Sequence, residues 1–461
     1  MKWAAIGLGL LAILLVSALG PLDQTPLLKS DYYLQTVKRL PPITPPSNDG
    51  AVVASGRIEA GFGKASITPK LGVAQDDPAH GEFRQLPLAG YGNRHGKGAT
   101  GVHDELFAKS VAVRVGTNRL VFVGLDALIV PREVAEEATA ALGSKLGLAR
   151  EQIYYGATHS HCGPGGWGQG VVAEAFAGGF QPAARTWLAA RIVEAATMAC
   201  GDLKPASMAY TNFNAASFVR NRLVGELGRV DPQFDLLEFK QDGGVTGVIG
   251  SFAAHATVLS GSVMEFSADY PGYWRRSVEH RLGEGSFALF LAGAVGSHGP
   301  VAGKSGFEGA QAMGEALAAM SVKTLDGVAM TNATELRVTG LPVALPELHA
   351  RISGTVRLRP WIASRLLPVG EGTFMQAARL GSCVWISAPC DFSGEIGLHV
   401  RNAALRAGKS AIITSFNGDY IGYVILPRYY FQDGYEPRTM SFFGPTIPEY
   451  FEDLALRLTE R

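Results

Sequence analysis

Cysteine is scarce in this chain. Four thiols, Cys162, Cys200, Cys383 and Cys390, are spread over 461 residues, and no Cys-x-x-Cys pair occurs. That excludes a disulfide-built scaffold and a thiolate zinc knuckle. Net charge is also absent: 41 basic side chains offset 41 acidic ones, and no basic stripe carries interleaved aromatics. Nucleic acid is therefore not an expected partner. No period of repeat length is present, which excludes a solenoid or propeller. Phosphate-binding and serine-elbow signatures are missing as well. Gly293 to Gly299 has neither the Lys-Ser ending of a Walker loop nor the spaced glycines of a dinucleotide fingerprint, and Gly296-Ser297-His298-Gly299 has the wrong spacing for a nucleophile elbow.

Long apolar runs are limited to one, Ala4 to Gly20, seventeen residues without a charge behind Met1-Lys2-Trp3. It is short for a spanning helix and long for a signal core. Val16-Ser17-Ala18 is an acceptable cleavage site, whereas Pro21 argues against cutting after Gly20, so residues 1–20 read as an uncleaved membrane anchor with a cleaved signal segment as the alternative. Either reading makes the body extracytoplasmic, membrane-anchored or secreted. Residues 21–60, with Pro41-Pro42-Ile43-Thr44-Pro45-Pro46, read as a proline-rich tether, and residues 61–461 as the folded body.

What the body contains is a repeated device: an apolar run, then glycine or proline with polar side chains, then an amphipathic stretch. Leu120 to Asp126, Val248 to His255, Phe287 to Gly293, Ser382 to Asp391 and Ala411 to Asn417 all follow it. This is the pattern of an α/β fold, with layered mixed β-sheets flanked by helices and a metal site at the strand C-terminal ends. The strongest ending is Thr158-His159-Ser160-His161-Cys162-Gly163-Pro164, where two of only ten histidines stand at i and i+2 as a strand enters a glycine-rich loop. Neutral imidazole is a common zinc ligand. Two hydrogen-bonded structural histidines are the alternative. Cys162 and Cys390 each adjoin a candidate site residue, as spatial neighbours or simply as buried small side chains.

These motifs, in this order, resemble the catalytic domain of the neutral/alkaline, non-lysosomal ceramidase family. Gly90-Tyr91-Gly92 and Gly101-Val102-His103-Asp104 look like its opening blocks, Thr158 to Gly166 is similar to its Thr-His-Thr-His-Ser-Gly-Pro signature, and Asn221-Arg222, Phe252-Ala253-Ala254-His255 and Tyr420 to Glu436 look like its later blocks. The resemblance implies a zinc ion (Zn2+) held by His159, His255, Asp391 and Tyr423, with Glu395 as the fallback carboxylate, and His161, Arg222 and Tyr435 lining the reaction centre. It implies hydrolysis of a linear amide in a small amphiphilic N-acyl substrate, within sphingolipid or other lipid metabolism. Two departures stand out. Asp391 replaces the family's glutamate, and Gly299 stands where the Gly-Asp-Val-Ser-Pro loop has its serine, with Ser297 nearby. The rival readings are a metal-independent hydrolase using Cys162 or Ser297, and a non-catalytic extracytoplasmic domain that keeps the fold.

Overall fold

The computed structural model of the chain describes residues 16–41, 53–367 and 369–461. Twelve strands make the main sheet: β1 (Val53–Ser66), β2 (Phe107–Val115), β3 (Asn118–Leu125), β4 (Ile153–Ala157), β5 (Lys204–Asn214), β6 (Gln233–Gln241), β7 (Thr246–Phe252), β8 (Phe287–Ala292), β9 (Ala333–Ala344), β10 (Gly372–Leu380), β11 (Cys383–Ser387) and β12 (Ser410–Thr414). Their order is β8-β7-β6-β5-β1-β9-β10-β11-β12, and β2, β3 and β4 branch from β1. Most neighbours are antiparallel; β3/β4, β7/β8 and β11/β12 are parallel. All residues of β4, β8 and β11 are buried, as strands covered on both faces must be.

The sheet doubles over. The ring of Trp385 on β11 lies 5.7 Å from Phe122 on β3 and 6.5 Å from Tyr154 on β4, and the Tyr154 hydroxyl is 2.7 Å from Thr414 Oγ1 on β12. Ile58, Val113, Leu289 and Ile412 fill the layer between the halves. Three helix pairs cover the outside: Arg132–Leu146 with Pro182–Gly201, Asp269–Leu282 with Gly306–Leu325, and Gly394–Arg406 with Ile447–Thr459. The expected layered mixed α/β architecture is what forms.

The N-terminal expectations fare differently. Most of the apolar run lies outside the described residues, and among those described no helix is long and apolar enough to cross a membrane. Part of the stretch read as a tether is folded onto the body. Leu19–Pro21 pairs with Val356–Leu358, and the helix Asp31–Arg39 buries Tyr33 and Thr36. Thr36 Oγ1 accepts from Ala344 N at 2.9 Å and from the Tyr450 hydroxyl at 2.6 Å, so β9 and the C-terminal helix both hold this helix down.

Candidate metal centre

Each parallel pair sends its strands out on one side, so the loops after β3, β4, β7, β8, β11 and β12 meet there. His159 leaves β4 with a positive φ of 60°, a strained conformation for a residue with a Cβ. Phe416, after β12, stacks on its ring at 4.1 Å. Gly90 packs against His161, and any Cβ there would collide with that ring. The opening glycine block thus shapes the site's wall. Arg94 fixes the loop by donating to His161 O at 2.5 Å and to Cys162 Sγ at 3.3 Å.

At the centre, His159 Nδ1 lies 2.7 Å from Leu128 O and His255 Nδ1 lies 3.2 Å from Val295 O. Carbonyl oxygens only accept, so each proton sits on Nδ1 and each Nε2 is a bare lone pair. Those two nitrogens face each other at 2.7 Å. Burial pushes His159 down to about 3 and His255 well below the usual histidine range, so no proton fills the gap. Asp391 Oδ1 lies 3.6 Å from His159 Nε2 and 3.7 Å from His255 Nε2, and among the described residues this buried oxygen has no hydrogen-bond partner. Its other oxygen accepts from the Tyr420 hydroxyl at 2.7 Å. Burial, opposed by that bond, pushes the Asp391 carboxyl up to about 7.

Two bare nitrogens and an orphaned carboxylate oxygen fit a cation. Tetrahedral bonds of about 2.0–2.1 Å put ligand atoms roughly 3.4 Å apart. The two nitrogen–oxygen separations are close to this, while the histidine pair would have to open by several tenths of an ångström. His161, expected to act on protons, has its Nε2 3.3 Å from that of His159 and completes three imidazoles whose nitrogens lie within 4.8 Å of one another.

Asp391 and Tyr423 are directly opposite in a short parallel pair, Asp391–Phe392 with Tyr423–Val424, which places carboxylate and phenol side by side. Arg222 donates to the Tyr423 hydroxyl at 2.8 Å and pairs with Glu436 at 3.2 Å. Burial raises Tyr423 above the usual phenol range, and Arg222 opposes the rise. The ring of Tyr435 stands 5.9 Å from that of Tyr423. The seven candidate residues therefore gather at one place. Glu395 does not join them: its carboxylate is taken by Asn221 at 3.2 Å and Arg428 at 2.9 Å. Sequence reasoning missed Tyr420, Phe416, Arg94 and Glu436. Tyr420 and Glu436 lie inside the tyrosine-rich block, whereas nothing local marks Phe416 or Arg94.

An open cleft of about 200 Å³ leads away from His159, His161 and Asp391, walled by Leu128, Ile129, Trp167, Val172, Phe176 and Met440. The rival nucleophiles are poorly placed. Burial pushes the Cys162 thiol up to about 12, and Ser297 Oγ lies 3.1 Å from Ser393 Oγ. Gly299 pairs with Arg220, and a Cβ there would have Arg222 Cβ at 3.5 Å, so a side chain fits without displacing backbone.

Fold and site define a layered α/β protein with a histidine–carboxylate–phenol centre at its strand ends. Residues 70–307, just over half the chain, match the family described as neutral/alkaline non-lysosomal ceramidase, N-terminal, and the chain belongs to that family. It is 27% identical over 242 residues to the neutral ceramidase of Pseudomonas aeruginosa, covering 48% of this chain and 34% of that protein. It is 27% identical over 220 residues to the neutral ceramidase of Mycobacterium tuberculosis, covering 43% and 34%. The match thus spans about a third of the length of these relatives. The crystal structure of the Pseudomonas aeruginosa neutral ceramidase superposes with a TM-score of 0.74 at 20% identity, over 88% of this chain and 75% of that one.

Proposed function

We propose that this protein is a zinc-dependent hydrolase that cleaves the amide bond of an N-acyl, lipid-like substrate. The carrying observation is the pair of bare imidazole nitrogens facing each other beside an unpartnered carboxylate oxygen. Nitrogen and oxygen donors without thiolate suit a catalytic zinc. When bound, zinc supplies Lewis acidity and an activated water at neutral pH. His159, His255, Asp391 and Tyr423 would hold it. Arg222 keeps the Tyr423 oxygen oriented through its hydrogen bond. Tyr435, a phenol and so protonated at neutral pH, donates to the oxygen that gains charge as the carbonyl is attacked. His161, beside the centre and at the head of the cleft, carries a proton between water and the departing amine. The apolar cleft wall takes the acyl chain. The name and family of the relatives favour an N-acyl lipid, and the uncharged N-terminal run favours an extracytoplasmic body.

The test is metal content by mass spectrometry alongside hydrolysis of a panel of N-acyl amides, before and after chelation. The expected result is about one zinc per chain, loss of turnover on chelation and recovery on zinc addition. Turnover that survives complete chelation excludes the zinc reading, and a zinc-loaded protein that cleaves no amide in the panel excludes the hydrolase reading.

A further inference from the structure

Beside Arg222, which holds the Tyr423 hydroxyl, lies a second arginine that the metal centre does not use. The strand Val219–Asn221 runs antiparallel to His298–Pro300 with Arg220 directly opposite Gly299. Arg222 N donates to Ser297 O at 2.9 Å, so the pairing continues one step further. Side chains two residues apart on a strand leave the same face. Arg220 and Arg222 therefore project on one side, past Gly299. A Cβ on Gly299 would have Arg222 Cβ at 3.5 Å, Arg222 Cδ at 3.6 Å and Arg220 Nε at 3.8 Å. The position where the family loop has its serine is here bare backbone, with both arginine side chains lying against it.

The two arginines differ in what they hold. Arg222 is bonded to Tyr423 and paired with Glu436. Arg220 is exposed, and among the described residues it makes no ion pair, side-chain hydrogen bond or ring contact. Guanidinium keeps its charge at any working pH, so Arg220 is a fixed cation with five donors and no acceptor. An open hollow of about 410 Å³ lies on this side of the centre. It shares His161, Phe176, Tyr423 and Tyr435 with the apolar cleft and adds Tyr91, Asn93, Arg222 and Thr257. Arg220 stands next to its Arg222 wall. Among the described residues no carboxylate lines the hollow, and the Asn93 amide and Thr257 hydroxyl have no hydrogen-bond partner. A substrate with its carbonyl at the centre and its acyl chain in the apolar cleft thus has its amine half among unused donors and surplus positive charge.

We infer that Arg220, lying over Gly299, selects substrates whose amine half is anionic, with a carboxylate or a phosphate a few bonds beyond the amide nitrogen. This rests on the proposed amide hydrolysis. A planar guanidinium matches either oxyanion with paired, charge-assisted hydrogen bonds, and a neutral amino alcohol offers it no such partner. Because the contact is made before and during reaction alike, it acts on KM more than on kcat.

The experiment assays the full chain on three amides of one acyl length, each below its micelle concentration: N-lauroylglycine, N-lauroyl phosphoethanolamine and neutral N-lauroylethanolamine. The expected ratio of kcat/KM, acid over neutral, is about tenfold or more for at least one acid, and the better acid identifies the oxyanion. Arg220→Gln should lower that ratio about tenfold, Arg220→Lys should restore most of it, and Arg220→Glu should turn the preference to the neutral amide. Salt at 0.5 M should shrink the ratio in the parent and leave it level in Arg220→Gln. A parent that prefers the neutral amide, or a ratio that Arg220→Gln leaves unchanged, overturns the inference. If none of the three is cleaved, the hydrolase reading fails, and calorimetric titration with the same three compounds still decides this one. Tighter binding of an acid that is lost in Arg220→Gln supports it, and equal affinity for acid and neutral amide overturns it.

Discussion

Asp391 is one methylene shorter than the glutamate its family block carries, yet its Oδ1 already lies 3.6 and 3.7 Å from the two imidazole nitrogens. The strand pair with Tyr423 and the Tyr420 hydrogen bond hold its backbone and second oxygen in place. Asp391→Asn should therefore drop bound zinc well below one per chain and cut turnover at least a hundredfold. Glu395→Gln should keep zinc and lose about 1–3 kcal/mol of stability, because it disturbs buried bonds to Asn221 and Arg428 instead. Metal analysis with denaturant unfolding separates the two, and zinc loss in Glu395→Gln alone would reverse the assignment. Gly299 invites the opposite change. Restoring the family serine puts a hydroxyl next to Arg222 with room for its Cβ. The parent should cleave ceramide weakly, and Gly299→Ser should raise kcat/KM for ceramide about tenfold relative to another N-acyl amide. An unchanged ratio in a steady-state comparison would show that the loop does not set specificity.

Among the elements, the helix Asp31–Arg39 shows how far composition can mislead. Prolines at 41, 42, 45 and 46 suggest an extended tether, but the stretch just before them carries Tyr33 and Thr36 on one face, and these only make sense beside Tyr450 and Ala344, hundreds of residues away. Thr36→Val keeps the shape and leaves the Ala344 N–H without its acceptor. It should lower the urea midpoint by an amount worth about 1–3 kcal/mol with the slope unchanged. Strand ends were legible for the opposite reason: a run such as Val121–Leu125 is buried on both faces and stops at polar loops, a purely local signal. The doubling of the sheet was not legible, since β1 pairs with β9 and Trp385 meets Phe122 through contacts that no local pattern encodes. At the site, histidines, Arg222 and tyrosines could be picked out by spacing and resemblance. The stacking of Phe416 on His159 and the diversion of Glu395 to Asn221 and Arg428 needed three-dimensional packing.

For the molecule as a whole, stability should carry a pH signature from Asp269, at the start of the helix Asp269–Leu282. Burial pushes its carboxyl up from 3.8 to about 6, against backbone hydrogen bonds from Leu259 and Tyr270. A raised carboxyl means that the folded chain holds a proton which the unfolded chain has released, so stability falls as pH rises between those two values and is level above them. Relative to Asp269→Asn, the parent should lose about 2 kcal/mol between roughly pH 4 and pH 6.5. Parallel curves for the two proteins in denaturant titrations would assign the proton elsewhere. The doubled sheet has a kinetic consequence as well. His159 and His255 stand on loops of one stretch of chain, Asp391 and Tyr423 on loops of another, and only the closing of the two halves brings them together. Contacts of such long sequence separation form late in folding. If zinc binds as proposed, its ligand set of His159, His255, Asp391 and Tyr423 is therefore complete only after both halves of the sheet have closed.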